Sequence, residues 1–147
     1  MKDDCGNIYR NARKASGLTQ ERWSEYLGVS VEAVRQYENG AIMPAEDVLL
    51  MMADISGMKI LPYWHLSRKS RIAGRILPEL EEQQSLPEAV LGLLIRIEDF
   101  REQGLAQMMR IAQDGRICEE EIPAYNRALS QLMDVVKQAY ACGYAKE

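Results

Sequence analysis

The chain has 147 residues, of which 47% are hydrophobic and 27% charged, and its formal net charge is −4 at neutral pH. This composition is too apolar for a disordered chain, and its longest apolar runs fall far short of the ~20 residues that span a bilayer. The first residues carry no apolar segment typical of a secretion signal, so we expect a cytoplasmic protein without membrane contact.

Helical periodicity recurs along the chain, and no strand-like alternation is sustained. The predicted helices lie at about 8–16, 19–27, 31–39, 45–56 and 60–67, and then at 87–103, 105–113 and 119–142. The polar segment 68–86 contains Gly74 and Pro78 and is predicted to connect two modules, with Ile72, Ile76, Leu77 and Leu80 able to dock part of it as a short helix. The predicted domains are therefore 1–67, a linker 68–86, and a helical domain 87–147.

The segment around Gly28 contains the most specific signals in the chain. Thr19 is a good N-cap for one helix, on which Trp23, Tyr26 and Leu27 fall on one face. Gly28 stands where the chain must stop and turn, and Ser30 caps the next helix. With Val34 and Tyr37 turned inward, that second helix presents a row of outward residues, Val31, Glu32, Arg35 and Gln36. Such an exposed helix fits the DNA major groove.

The strings R-x-x-x-G-L-T-Q, L-G-V-S and V-x-x-Y-E-N-G-x-x-x-P resemble the phage repressor and Cro (XRE) family of helix-turn-helix domains over residues 8 to about 66. The resemblance implies an all-α fold with a five-helix DNA-binding domain, whose third helix enters the major groove of double-stranded DNA. It further implies a phosphate contact and a bracing role for Gln20, a helix cap beside the backbone at Ser30, and base-facing positions at Val31, Glu32 and Gln36. Arg35 and Asn39 complete the predicted DNA-binding set.

The same resemblance implies an ion pair between Arg13 and Glu38 that ties the first helix to the third. Several residues depart from the family pattern. Trp23 replaces the usual leucine, Ser24 replaces an alanine that lets the helices approach closely, and Glu32 brings a negative charge near phosphates. Glu32 could accept a hydrogen bond from cytosine N4, while Gln36 is a conventional reader of adenine.

Positive charge is concentrated just after this domain. Residues 59–78 carry five basic residues and no acidic one. Such a strip could meet phosphates or could simply be a solvated linker. The candidate phosphate contacts are Lys59, Arg68, Lys69 and Arg71.

The C-terminal half is predicted to be helical, with a heptad-like stripe on its last helix made of Ile122, Tyr125, Leu129, Leu132, Val136, Ala139 and Gly143. This stripe could pack on helix 87–103 of the same chain or could form a homodimer interface. The segment from Asp114 to Glu121 echoes part of an EF-hand loop, but Arg110 and Ala112 stand where oxygen ligands are needed.

No cofactor or metal site is expected, because the three cysteines and the single histidine lack the spacing of a zinc site. Nucleophile–base pairs and phosphate loops are also missing, which argues against an enzyme. The leading hypothesis is a repressor-like, homodimeric transcriptional regulator of the kind common in bacterial prophages, with an unknown effector. The alternative is a protein-interaction module or antitoxin-like partner that retains the fold.

Overall fold

The computed structural model describes residues 5–146, and the side chains of residues 8–146. The chain divides into two compact units, and the boundary in the sequence falls between Leu77 and Pro78. Within the described residues the regular structure is helical throughout, which confirms the all-α prediction. None of the helices in this part of the chain is long and apolar enough to cross a membrane.

The described part of the N-terminal unit, residues 5–77, forms six helices. They are α1 (Cys5–Ala15), α2 (Gln20–Leu27), α3 (Val31–Glu38), α4 (Glu46–Ser56), α5 (Leu61–Lys69) and the single turn α6 (Ala73–Ile76). Helix α1 packs against α3, α4 and α5, and α2 packs against α3. The core between them is filled by large side chains that are almost fully buried, namely Ile8, Tyr9, Trp23, Val34, Met52, Ile60 and Leu61.

The C-terminal unit is built around two antiparallel helical arms. The first arm consists of α7 (Leu86–Asp99), a π-helical turn (Phe100–Gly104) and α8 (Leu105–Ile111), and the second is α9 (Ile122–Gly143). The antiparallel direction is evident because Gln138 contacts Ala89 while Gln131 contacts Gln103. Helix α9 starts at Ile122, three residues later than predicted, because Pro123 occupies its first turn and Glu121 instead accepts a hydrogen bond from the Cys118 amide.

The segment 68–86, interpreted above as a linker, is divided between the two units. Its first part forms the end of α5 and then α6, which packs back on α5. Its last part is tied to the chain's C-terminal end, because the Lys146 amide donates to the Gln84 carbonyl (2.9 Å) and the Leu86 amide donates to the Lys146 carbonyl (3.0 Å). The capping box of Ser85 and Glu88 then starts α7.

The heptad-like stripe of α9 does not coincide with the contact between the two arms. Ile122, Leu129, Ala139 and Gly143 of that stripe are exposed, whereas the buried α9 residues are Ala128 and Ala141. The other three residues of the stripe, Tyr125, Leu132 and Val136, are half-buried.

Candidate nucleic-acid interface

A tight turn joins helices α2 and α3, and cap residues stand at the start of each helix and at the end of α2. The Thr19 hydroxyl accepts a hydrogen bond from the Arg22 amide (3.3 Å), and the Ser30 hydroxyl accepts one from the Ala33 amide (3.1 Å). Gly28 has a φ of 65°, a left-handed conformation that a side chain would disfavour. The capped ends and this glycine together define where α2 ends and α3 begins.

One side of each helix is anchored in the core. Trp23 and Leu27 of α2 are buried, as are Val34 and Tyr37 of α3. Tyr26, expected on the inner face, is instead 62% exposed, so that expectation is wrong. The buried α2 position beside Trp23 is taken by the small Ser24, whose hydroxyl donates to the Glu21 carbonyl (2.7 Å).

Glu38, at the end of α3, is a buried carboxylate bound by groups from two other helices. Arg13 of α1 contacts it through two bonds, from Nε to Oε1 (2.5 Å) and from Nη2 to Oε2 (3.1 Å). Gln20 of α2 donates from Nε2 to the same Oε2 (2.9 Å), and Nε of Arg10 lies 3.6 Å from it. An ionised carboxylate only accepts hydrogen bonds, and here its donors come from α1 and α2. These charge-assisted bonds therefore tie both helices to α3.

Arg13 and Gln20 were predicted from the sequence to support α3, whereas Arg10 was not. Arg10 lies three residues before Arg13, on the same face of α1, and also donates to the Glu38 backbone carbonyl (3.5 Å). The spacing of Arg10 and Arg13, three residues apart on one helix face, could have predicted that both contact Glu38.

Two opposing influences act on the pKa of Glu38. Burial alone raises it, but the hydrogen bonds from Arg13 and Gln20, together with the charges of Arg13 and Arg10, outweigh burial and lower the pKa below its ordinary value of 4.5. Because folding lowers this pKa, the ionised carboxylate stabilises the folded unit. This stabilisation is fully present above the pKa of the unfolded chain and is lost as the pH falls through the folded value.

We therefore expect the melting temperature of the N-terminal unit to fall as the pH decreases below the ordinary carboxyl pKa of 4.5, and to fall less in Glu38→Gln. Tryptophan fluorescence measures this unit alone, because both tryptophans, Trp23 and Trp64, lie in it. Equal pH slopes in the two proteins would show that Glu38 does not link folding to pH.

The outward side of α3 carries the remaining predicted DNA-binding residues. Glu32 and Arg35 are exposed, and Val31 and Gln36 are half-buried. Glu32 accepts a hydrogen bond from Gln36 Nε2 (3.3 Å), and its other oxygen lies 3.6 Å from Arg35 Nη1. To reach a base edge with its amide nitrogen, Gln36 must exchange its bond to Glu32.

Gln20 links this outward side to the buried carboxylate. Its amide nitrogen is held by Glu38, and its amide oxygen faces Nε of Arg35 at 3.5 Å. Gln20 therefore braces α3 from α2 at two points. Ser30 is exposed at the start of α3, and Asn39 is exposed at its end, where Asn39 Oδ1 accepts from the Ala41 amide (3.0 Å).

The four candidate phosphate contacts do not form one cluster. Lys59 precedes α5, whereas Arg68 and Lys69 end it, so a helix of nine residues, about 14 Å long, separates them. Arg68 lies over the ring of Trp64 (5.4 Å to the centroid), and Lys69 lies over the ring of Tyr9 (5.7 Å). Arg71 is exposed beyond the helix.

The single histidine packs within the unit. His65 Nδ1 and the hydroxyl of buried Tyr9 form a hydrogen bond of 2.8 Å, and burial of the ring, with a contribution from Lys69, lowers the pKa of His65. Cys118 and Cys142 are free thiols, and the Cys5 side chain lies outside the described residues. Among residues 8–146, acidic, cysteine and histidine side chains nowhere gather in a group of three that could hold a metal ion.

The capped pair of helices, with α3 braced from behind and exposed in front, defines a helix-turn-helix DNA-binding domain. The helix-turn-helix family model matches residues 10–59, from within α1 to the start of α5. These residues form a helix-turn-helix domain of the XRE family, and the chain is accordingly a DNA-binding transcriptional regulator. The searches found no matching curated protein and no matching solved structure.

Proposed function

We propose that the chain is a sequence-specific, repressor-like regulator that binds double-stranded DNA as a homodimer, with α3 in the major groove. The observation that carries this proposal is the Glu38 network. Three side chains from α1 and α2 converge on one buried carboxylate of α3, so the helix is held at a set angle before DNA arrives. Because α3 is already held in place, little conformational entropy is lost when it binds DNA.

Within this arrangement the exposed residues take different roles. Gln36, with Val31 and Glu32, is proposed to contact base edges, since these side chains lie on the outward side near the start of α3. Ser30, Gln20, Arg35 and Asn39 flank them and are proposed to contact the DNA backbone. Lys59, Arg68, Lys69 and Arg71 add positive charge outside the helix-turn-helix.

Pairing of two chains follows from the size of one module. A single helix-turn-helix buries only about 600–1,000 Å² on DNA, and useful specificity commonly takes two half-sites one helical turn, about 34 Å, apart. The net charge of −4 makes such pairing more important, because long-range attraction to DNA is weak.

Selection of bound sequences from random double-stranded DNA tests the proposal. We expect an enriched motif of two related half-sites and affinity that falls steeply with salt. Failure to retain any DNA at about 50 mM salt, with salt-independent binding to another protein, would instead establish an interaction module.

Replacing Gln36 with alanine should weaken binding to the selected motif by roughly 1–3 kcal/mol and relax one base preference, because a bidentate base contact is lost. Competition assays against single-base variants of the motif measure both effects. The matched control is Gln113→Ala, the same change at an exposed position of the C-terminal unit, which should leave affinity unaltered. An unchanged footprint and affinity in Gln36→Ala would remove Gln36 from the reader set.

A further inference from the structure

The C-terminal unit has very little apolar core of its own. Its buried apolar side chains in the described residues are Leu80, Ala89, Ile111, Ala128 and Ala141, and three of these five are alanines. A unit of this size, with about seventy residues, needs most of its large apolar side chains inside to be stable alone. Here most of them lie outside.

The contact between α7 and α9 helps to explain why the large apolar side chains of this unit lie outside, because small residues and side-chain amides contribute to that contact. Ala89 is fully buried, and a Cβ added at Gly92 would lie 2.6 Å from the Gln138 amide nitrogen. Gln138 donates to the Ala89 carbonyl (3.2 Å) and to the Gln84 side chain (2.7 Å). Among the large aliphatic side chains of α7, only Leu93 is half-buried beside this contact.

The other large aliphatic side chains of α7 occupy the opposite side of the helix, which we call the α7 face. Its six residues are between 42% and 60% exposed, and at successive intervals of one to four residues they cover the half of α7 that points away from Ala89 and Gly92. They are Leu86, Val90, Leu91, Leu94, Ile95 and Ile97.

We propose that the α7 face is the surface on which a second copy of this chain docks. Six half-exposed aliphatic side chains offer on the order of 400 Å² of apolar surface, near the size of the largest patch on an ordinary monomer. If apolar atoms make up about 60% of the buried area, the interface covers roughly 700 Å² per chain, close to the ~800 Å² of a standard specific interface.

The charges on α7 favour an identical partner over a charged one. The six side chains of the face are uncharged, and the charged residues near them are engaged locally. Arg96 pairs with Asp99 (3.5 Å), Glu98 pairs with Arg101 of the π-helical turn, and Glu88 accepts hydrogen bonds from Ser85. The face therefore offers no cluster of one charge sign for an oppositely charged protein to recognise. A second copy supplies the same neutral apolar surface, as a two-fold interface requires. The inference deepens the homodimer in the proposed function and rests on it.

Sedimentation equilibrium of the full chain without DNA tests the interface. Wild type is expected to be a dimer at micromolar concentration, and Leu94→Glu should raise the dimer dissociation constant at least 100-fold, whereas Leu94→Met should preserve it. The matched control is Leu50→Glu, since Leu50 of α4 is 53% exposed, close to the 59% of Leu94, but lies in the other unit. Circular dichroism checks that each variant keeps its helices.

A second readout does not depend on a disruptive variant. The thiol of Leu94→Cys should be alkylated more slowly at high protein concentration than at low concentration, whereas that of Leu50→Cys should react at one rate. The native cysteines are common to both proteins and supply the background.

The outcomes separate this inference from the proposed function. A dimer broken by Leu50→Glu but not by Leu94→Glu would overturn the α7 face and leave the homodimer standing. A monomeric wild type up to about 100 µM would overturn both the face and the homodimer, while DNA binding by a single module would still be measured independently by selection.

Discussion

Glu38→Ala should lower the free energy of unfolding of the N-terminal unit by about 3–5 kcal/mol, because it leaves the nearly buried Arg13 without its carboxylate. The side chains of Arg13 and Glu38 are only 14% and 3% exposed, so water replaces little of the lost interaction. Urea unfolding followed by tryptophan fluorescence measures the change in this unit.

Two controls show whether the destabilisation comes from leaving Arg13 unpaired in the core or from removing any glutamate charge. The double variant Arg13→Met with Glu38→Leu should be more stable than Glu38→Ala, because no unpaired charge remains buried. Glu25→Ala removes the partner of Arg22 in an exposed pair (2.8 Å) and should cost no more than about 0.5 kcal/mol. A stability of Glu38→Ala within that same range would contradict the bracing role of Glu38.

Trp23→Ala should destabilise the N-terminal unit by about 3–5 kcal/mol, since it empties the largest fully buried side-chain position in the unit. Trp64 remains as the fluorescent probe, and it lies in the same unit. A loss of this size would remove much of the stability typical of a small domain, so DNA binding should decline with it.

Tyr26→Ala is the matched control for Trp23→Ala. It removes an aromatic side chain three residues further along α2, but one that is 62% exposed, and should cost less than about 1 kcal/mol. Similar losses in the two variants would mean that Trp23 does not fill the core as the structure places it.

The helix-turn-helix could be predicted from the sequence because its signals are local. Thr19 and Ser30 begin helices, Gly28 turns the chain, and each effect acts within a few residues. The inward positions of Val34 and Tyr37 follow from helical spacing in the same way.

Tyr26 shows where this local reasoning stops. The spacing that put it beside Trp23 and Leu27 was correct, but the width of the buried side of α2 depends on the other helices. Trp23 and the small Ser24 take the buried positions in this part of α2, and Tyr26 lies outside the core.

Gly104 illustrates the same limit in the C-terminal unit. The sequence predicted a break there, whereas the helical path continues through a π-helical turn. A Cβ at this position would lie 2.6 Å from the ring of Phe100 and 2.8 Å from Gln131 of α9. The glycine therefore marks a close approach of two arms, which involves a residue far away in the sequence.

The helical character of the chain, the DNA-binding helix-turn-helix within its first sixty residues, and the ends of that motif's helices could all be predicted from the amino-acid sequence. These properties depend on backbone preferences and periodicity within single helices. The side chains that brace the reader helix and the side of α7 that stays exposed became visible only in the folded chain, because both depend on contacts between residues that are distant in the sequence. For that reason the α9 stripe, although regular, did not predict the arm contact, and the apolar side of α7 became the proposed site of pairing.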